Sequence, residues 1–192
     1  MSAIAALVQR DLIRLVRRPS QLVATAGVPL LFAFVLGSGF DRAEITGAGA
    51  GYAAYLVPGT ALLAVVFAAT FAGMALIEDR NEGALRAIML SPASPASIAA
   101  ARLLSALILS LLPATLILIT GALFGRIDFT PGVLATVAAL ALGSVAIGGI
   151  SLALAWAIDS QRGFHGVLNL GLMPGWLLSG AVFPIDAASG WV

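Results

Sequence analysis

Five charged residues, Glu78, Asp79, Arg80, Glu82 and Arg86, crowd into the stretch EDRNEGALR of a chain that is otherwise oily. At this spacing they could cap helix ends or edge a docking surface for another protein. They do not assemble a reactive centre. The chain has no cysteine and one histidine, His165, beside Arg162. A metal site needs several converging ligands, so His165 reads as a solvated loop residue. There is also no lysine, because every basic residue is arginine. A Walker A loop needs its lysine on the nucleotide phosphates. If ATP is used, a second subunit must hold it together with its Mg, and no cofactor is expected on this chain.

Composition says where such a patch must sit. Of the 192 residues, 60% are hydrophobic and only 10% charged, with a mean hydropathy of +1.06. A soluble domain carries about 25% charged residues. A chain this apolar belongs in a bilayer, with room for one domain of roughly five or six spans. No nucleic-acid partner is expected.

The apolar runs also exclude chemistry. A carrier driven by protons or sodium would place Asp, Glu or His near mid-membrane, and these runs hold none at that depth. Arg102 lies a few residues inside one run, where it could snorkel to the interface. An intramembrane serine protease needs a facing Ser and His, and His165 is too near the surface.

The elements that position the patch follow from periodicity. In MSAIAALVQRDLIRLVRRP, a helical projection puts Arg10, Arg14, Arg17 and Arg18 on one face and Ile4, Val8, Leu12, Leu15 and Val16 on the other. This predicts an amphipathic helix lying in the membrane interface, its arginines facing anionic headgroups. Five apolar stretches follow: 21–40, 52–77, 98–124, 133–158 and 167–183. The last is short and contains MPGW, so it is expected to be broken and not to cross as one straight helix. With the N-terminus inside, the inner segments hold Arg10, Arg14, Arg17, Arg18, Arg80, Arg86, Arg102 and Arg162, and the outer ones only Arg42 and Arg126. That fits the positive-inside rule and puts the patch in the cytoplasm. Trp156, Trp176 and Trp191 are expected at membrane boundaries. The GxxxG spacings 121–125 and 171–175 suit either ordinary helix packing or a dimer contact.

Within the patch, Asp79 or Asn81 could cap a short helix, with Glu82 at the capping-box spacing from Asp79. Leu85, Ile88 and Met89 share one side of that helix. Ser91-Pro92 ends it, and Ser94-Pro95 stiffens the return to the next span.

EDRNEGALRAIMLSPASPASI resembles the segment after the second span in permeases of the ABC type 2 exporter family, through Glu78, Glu82, Gly83, Leu85, Ser91 and Pro92. Ala84 and Arg86 depart from that pattern. LLSGAVFPIDAASGW is similar to the family's outer re-entrant element, with Phe183, Pro184 and Trp191 at matching places. QRDLIRLVRRP looks like its amphipathic N-terminal helix. The resemblance covers nearly the whole chain.

The resemblance implies an all-α integral membrane domain over 1–192. It comprises an interfacial helix at 1–19, five transmembrane segments, a cytoplasmic coupling segment at 78–97 and an outer element at 177–192. The family's sixth span is absent, so the chain is read as cut before it. By the same resemblance, Glu78, Glu82, Gly83, Ala84, Leu85, Arg86, Ile88 and Met89 contact a cytoplasmic ATPase. The other expected partners are a second permease copy or paralogue and the lipids of the cell membrane. Export of a drug, lipid or glycan is the implied function. A non-transporting membrane scaffold and a secondary carrier are the rivals.

Overall fold

The computed structural model describes residues 3–40, 51–127 and 131–182. Seven helices make up this part of the chain: α1 (Ala3–Val16), α2 (Pro19–Gly39), α3 (Tyr52–Asn81), α4 (Ala84–Met89), α5 (Pro95–Leu123), α6 (Pro131–Ala157) and α7 (Gln161–Leu178). Four of them, α2, α3, α5 and α6, are long and apolar enough to cross a membrane.

α3 is the hub. In its most apolar window 67% is buried, against 17% for α6. It packs on α2, α5, α6 and α7. Its composition explains this. Small residues such as Ala61, Ala64, Ala68, Ala69 and Gly73 let neighbouring backbones approach closely. One core joins Val57, Ala61, Ala64 and Val65 to Ala114, Ile117 and Leu118 of α5 and to Leu140 of α6. A second, at the polar end of the bundle, joins Leu76 and Ile77 to Leu152 and Ala155 of α6, Phe164 and Leu168 of α7, and Leu85 of α4.

Two glycines set the spacing of these contacts. A Cβ on Gly73 would overlap the Phe164 ring and stand 2.6 Å from Ser151 Oγ. A Cβ on Gly59 would overlap the carbonyl oxygen of Ala181, just past α7. The Trp176 indole donates to the Gly59 carbonyl at 2.8 Å, and the Tyr55 hydroxyl donates to the Gly180 carbonyl. α7 is thereby fastened along α3 at both ends.

Several expectations change. The segment expected to be broken is one continuous helix that runs through Pro174 and starts at Gln161, capped by Ser160 accepting from the Gly163 amide at 3.1 Å. Neighbours and hydroxyls can absorb a proline in such a helix. α7 is 18 residues long and is not among the four span candidates. His165 is therefore an exposed helix residue and not part of a loop. Trp176 is buried, edge-on to Phe32 at 6.2 Å, and is not an interfacial anchor. Of the GxxxG glycines, Gly121 packs on Val57, whereas Gly171 and Gly175 face open space. Phe183, Pro184 and Trp191, and with them most of the outer element, lie outside the described residues.

Candidate functional site

The polar end of the bundle is organised by one carboxylate. α3 does not stop before the charged patch but runs on through it to Asn81. At about 1.5 Å per residue its 30 residues span roughly 45 Å, more than the hydrocarbon core of about 30 Å, so the last turn can lie beyond that core. Asp79 sits in that turn with 1% exposure. It accepts from Arg10 Nη2 at 2.7 Å, from Arg14 Nη1 at 2.8 Å and from Arg102 Nη2 of α5. Asp11 of α1 faces the same group, pairing with Arg10 at 3.0 Å and with Arg102 at 3.3 Å. Around the rim, Glu78 pairs with Arg14 at 3.1 Å and Arg18 at 2.7 Å, and Glu82 lies 3.6 Å from Arg14.

Arg10, Arg14, Arg18 and Arg102 thus meet Asp11, Glu78, Asp79 and Glu82, and their formal charges cancel. Cancellation is what permits burial, since an isolated charge here would be strongly penalised. Burial alone would lower the Arg10 pKa. The hydrogen bonds and charges of Asp79 and Asp11 outweigh it and hold the guanidinium above the usual arginine value.

The cluster changes the surroundings of two sets of arginines. Arg10, Arg14 and Arg18 are engaged by α3 carboxylates; Arg17 is exposed and has no ion pair among the described residues. Arg102 does not snorkel but is buried between Asp79 and Asp11. The patch also lacks its capping box, because Asp79 is inside α3 and holds arginines. The turn into α4 is made by Gly83 in the left-handed region (φ 77°), with no side-chain cap. That conformation suits glycine and few other residues.

α4 itself is a short bracket. Leu85 is 5% exposed and anchors it in the α3–α6–α7 core. Ala84 and Ile88 are half-buried, whereas Arg86 and Met89 are exposed. Leu90, just past the helix, is 88% exposed. The expected contact set is therefore divided: Leu85 and Glu78 face the bundle, whereas Glu82, Arg86 and Met89 are exposed. Ser94 caps α5, accepting from the Ser97 amide at 3.2 Å, with Pro95 at the first helical position.

On the other flank, Arg80 binds Asp159 and the Ala155 carbonyl and lies 5.5 Å from the Trp156 ring centroid. The polar end thus joins α1, α3, α5 and the α6–α7 turn around the base of α4.

Neither the central role of Asp79 nor the partnership of Asp11 with Arg102 follows from local spacing. The signals that point to them are a lone acid inside the basic face of α1 and a lone arginine inside an apolar run.

A search of curated proteins and a search of solved structures found no match. The family model for the ABC-2 type transporter matches residues 2–192, the whole described bundle. The chain belongs to the ABC-2 type transporter family, and it is an integral membrane permease component of an ABC-type transporter.

Proposed function

We propose that this permease docks a cytoplasmic ATPase at its polar end and uses ATP hydrolysed there to export an amphipathic or lipid-like substrate. The observation that carries this reading is the construction of α4. Leu85 pins the helix to the bundle, while Arg86, Met89 and Leu90 are exposed along its outer edge. An exposed apolar pair beside a cation is suited to a groove on another protein.

The links behind α4 support the mechanical half of the proposal. α4 follows α3 after a glycine turn, and α3 is bound through Asp79 to α1 and α5. A push on α4 would reach these helices as a unit and not dissipate in a loose loop. The arginine distribution supports an orientation with this end in the cytoplasm. Export and the substrate class rest on the family resemblance and on the apolar character of the spans. A second permease copy would complete the path.

The test is co-purification with the candidate ATPase. Met89→Asp and Leu90→Asp should abolish capture while leaving the permease folded. If both variants capture the ATPase as well as wild type does, docking through α4 is wrong. If wild type captures none, the scaffold reading takes its place.

A further inference from the structure

α4 leans on α3, and a cavity of about 450 Å³ opens between it and the facing parts of α5 and α6. Cavities that hold small molecules run from about 300 to 1,000 Å³. Its walls are apolar, formed by Leu85, Met89, Ile98, Leu103, Leu152 and Trp156. Arg102 also reaches this space, but its guanidinium is occupied by Asp11 and Asp79. On the α6 side the wall is thinned by Gly149. A Cβ there would meet only Leu103 Cδ2, at 3.9 Å.

A second cavity adjoins the first across Leu85, Met89 and Trp156 and adds Arg80, Arg86 and Glu82, the last lying 3.6 Å from Arg14. Arg86 is exposed and has no ion pair among the described residues. The Arg80 Nε is buried without a hydrogen-bond partner, although its two terminal nitrogens are engaged. One guanidinium with free donors, that of Arg86, thus stands beside an apolar chamber at the end of the bundle, while Arg80 is held by Asp159 and the Ala155 carbonyl.

We propose that this chamber holds one acyl chain of an anionic lipid, with the lipid phosphate at Arg86. The complementarity has two parts. An apolar wall selects a chain over a free anion. The Arg86 donors select a phosphate with residual negative charge over a zwitterionic head, since guanidinium–phosphate bonds are charge-assisted and can be bidentate. A chain in this position fills the gap behind α4 and stiffens the helix against α5 and α6. The site requires no ATPase.

The experiment uses the full chain, delipidated in neutral detergent, with bound lipid counted by native mass spectrometry. Dioleoylphosphatidylglycerol is titrated in one arm, dioleoylphosphatidylcholine in a second, and inorganic phosphate is added as competitor in a third. Wild type should bind one phosphatidylglycerol about tenfold more tightly than phosphatidylcholine, a gap of about 1.4 kcal/mol. Phosphate should not displace it.

Arg86→Gln should erase the preference and Arg86→Lys should keep most of it. Gly149→Leu, which fills the chamber, should remove the tight site. Because Arg86 is exposed, its variants carry the test even if Gly149→Leu fails to fold. Equal binding of the two lipids by wild type overturns the proposal. So does an unchanged preference in Arg86→Gln, and so does displacement by phosphate, which would mark a free-anion site. As the titration contains no ATPase, its failure leaves the docking reading standing, and the converse also holds.

Discussion

Asp79 accepts a hydrogen bond at 2.8 Å from Arg14, a residue 65 positions earlier in the chain. That contact makes α1 and the end of α3 into one piece. With Arg10 and Arg102 on the same carboxylate, Asp79 holds three cations in place.

Removing that carboxylate should be costly. Asp79→Asn leaves Arg10, Arg14 and Arg102 without their shared counter-charge. Breaking a buried pair in this way costs about 3–5 kcal/mol. Glu78→Gln, on the rim, should cost no more than about 1 kcal/mol. Thermal unfolding of the two purified variants in detergent checks the order. Equal losses would mean that the cluster is not organised around Asp79.

Gly73 should tolerate no added atom at little cost. A Cβ there runs into the Phe164 ring and Ser151. Overpacking of this kind costs about 1–3 kcal/mol. Gly73→Ala should therefore lower the unfolding temperature. Adding Phe164→Leu to it should recover part of the loss, measured as a double-mutant cycle.

At the far end of α3, Gly59→Ala should displace the chain after α7, because the obstacle is the Ala181 backbone and not a flexible side chain. The Trp176 indole would then lose the Gly59 carbonyl and gain access to water. Tryptophan emission should shift to the red. Placing the same substitution in a Trp176→Phe background should remove that shift.

Leu85 and Leu90 should separate folding from docking. Leu85→Ala empties a buried site and should cost about 2–5 kcal/mol. Leu90→Ala, at 88% exposure, should leave the unfolding temperature unchanged and lower stimulation of the ATPase. If Leu90→Ala leaves stimulation at the wild-type level, Leu90 plays no part in the contact.

The amino-acid sequence by itself determines the helical membrane class. A bilayer demands long stretches free of charge and leaves backbone bonding to helices, and the apolar runs meet both demands. The stretches at 21–40, 52–77, 98–124 and 133–158 correspond to α2, α3, α5 and α6, each within a few residues of its ends. The N-terminal helix and α4 are equally legible, because their charges and apolar residues repeat at helical spacing.

The direction in which a side chain points is not legible in the same way. Arg14 on a basic face and Arg102 in an apolar run each have the character of a residue seeking lipid headgroups or water. Both meet Asp79 instead, at a distance along the chain that no local period records. Leu85, Ile88 and Met89 share a helical face in projection, yet Leu85 is buried and Met89 is exposed. Local spacing determines that a helix forms and which residues share its faces. Which face turns inward is decided by what arrives from elsewhere in the chain. Here the tertiary structure decides it through the carboxylate of Asp79, which recruits arginines from two other helices, and through the Phe164 ring, which takes the space that Gly73 leaves open.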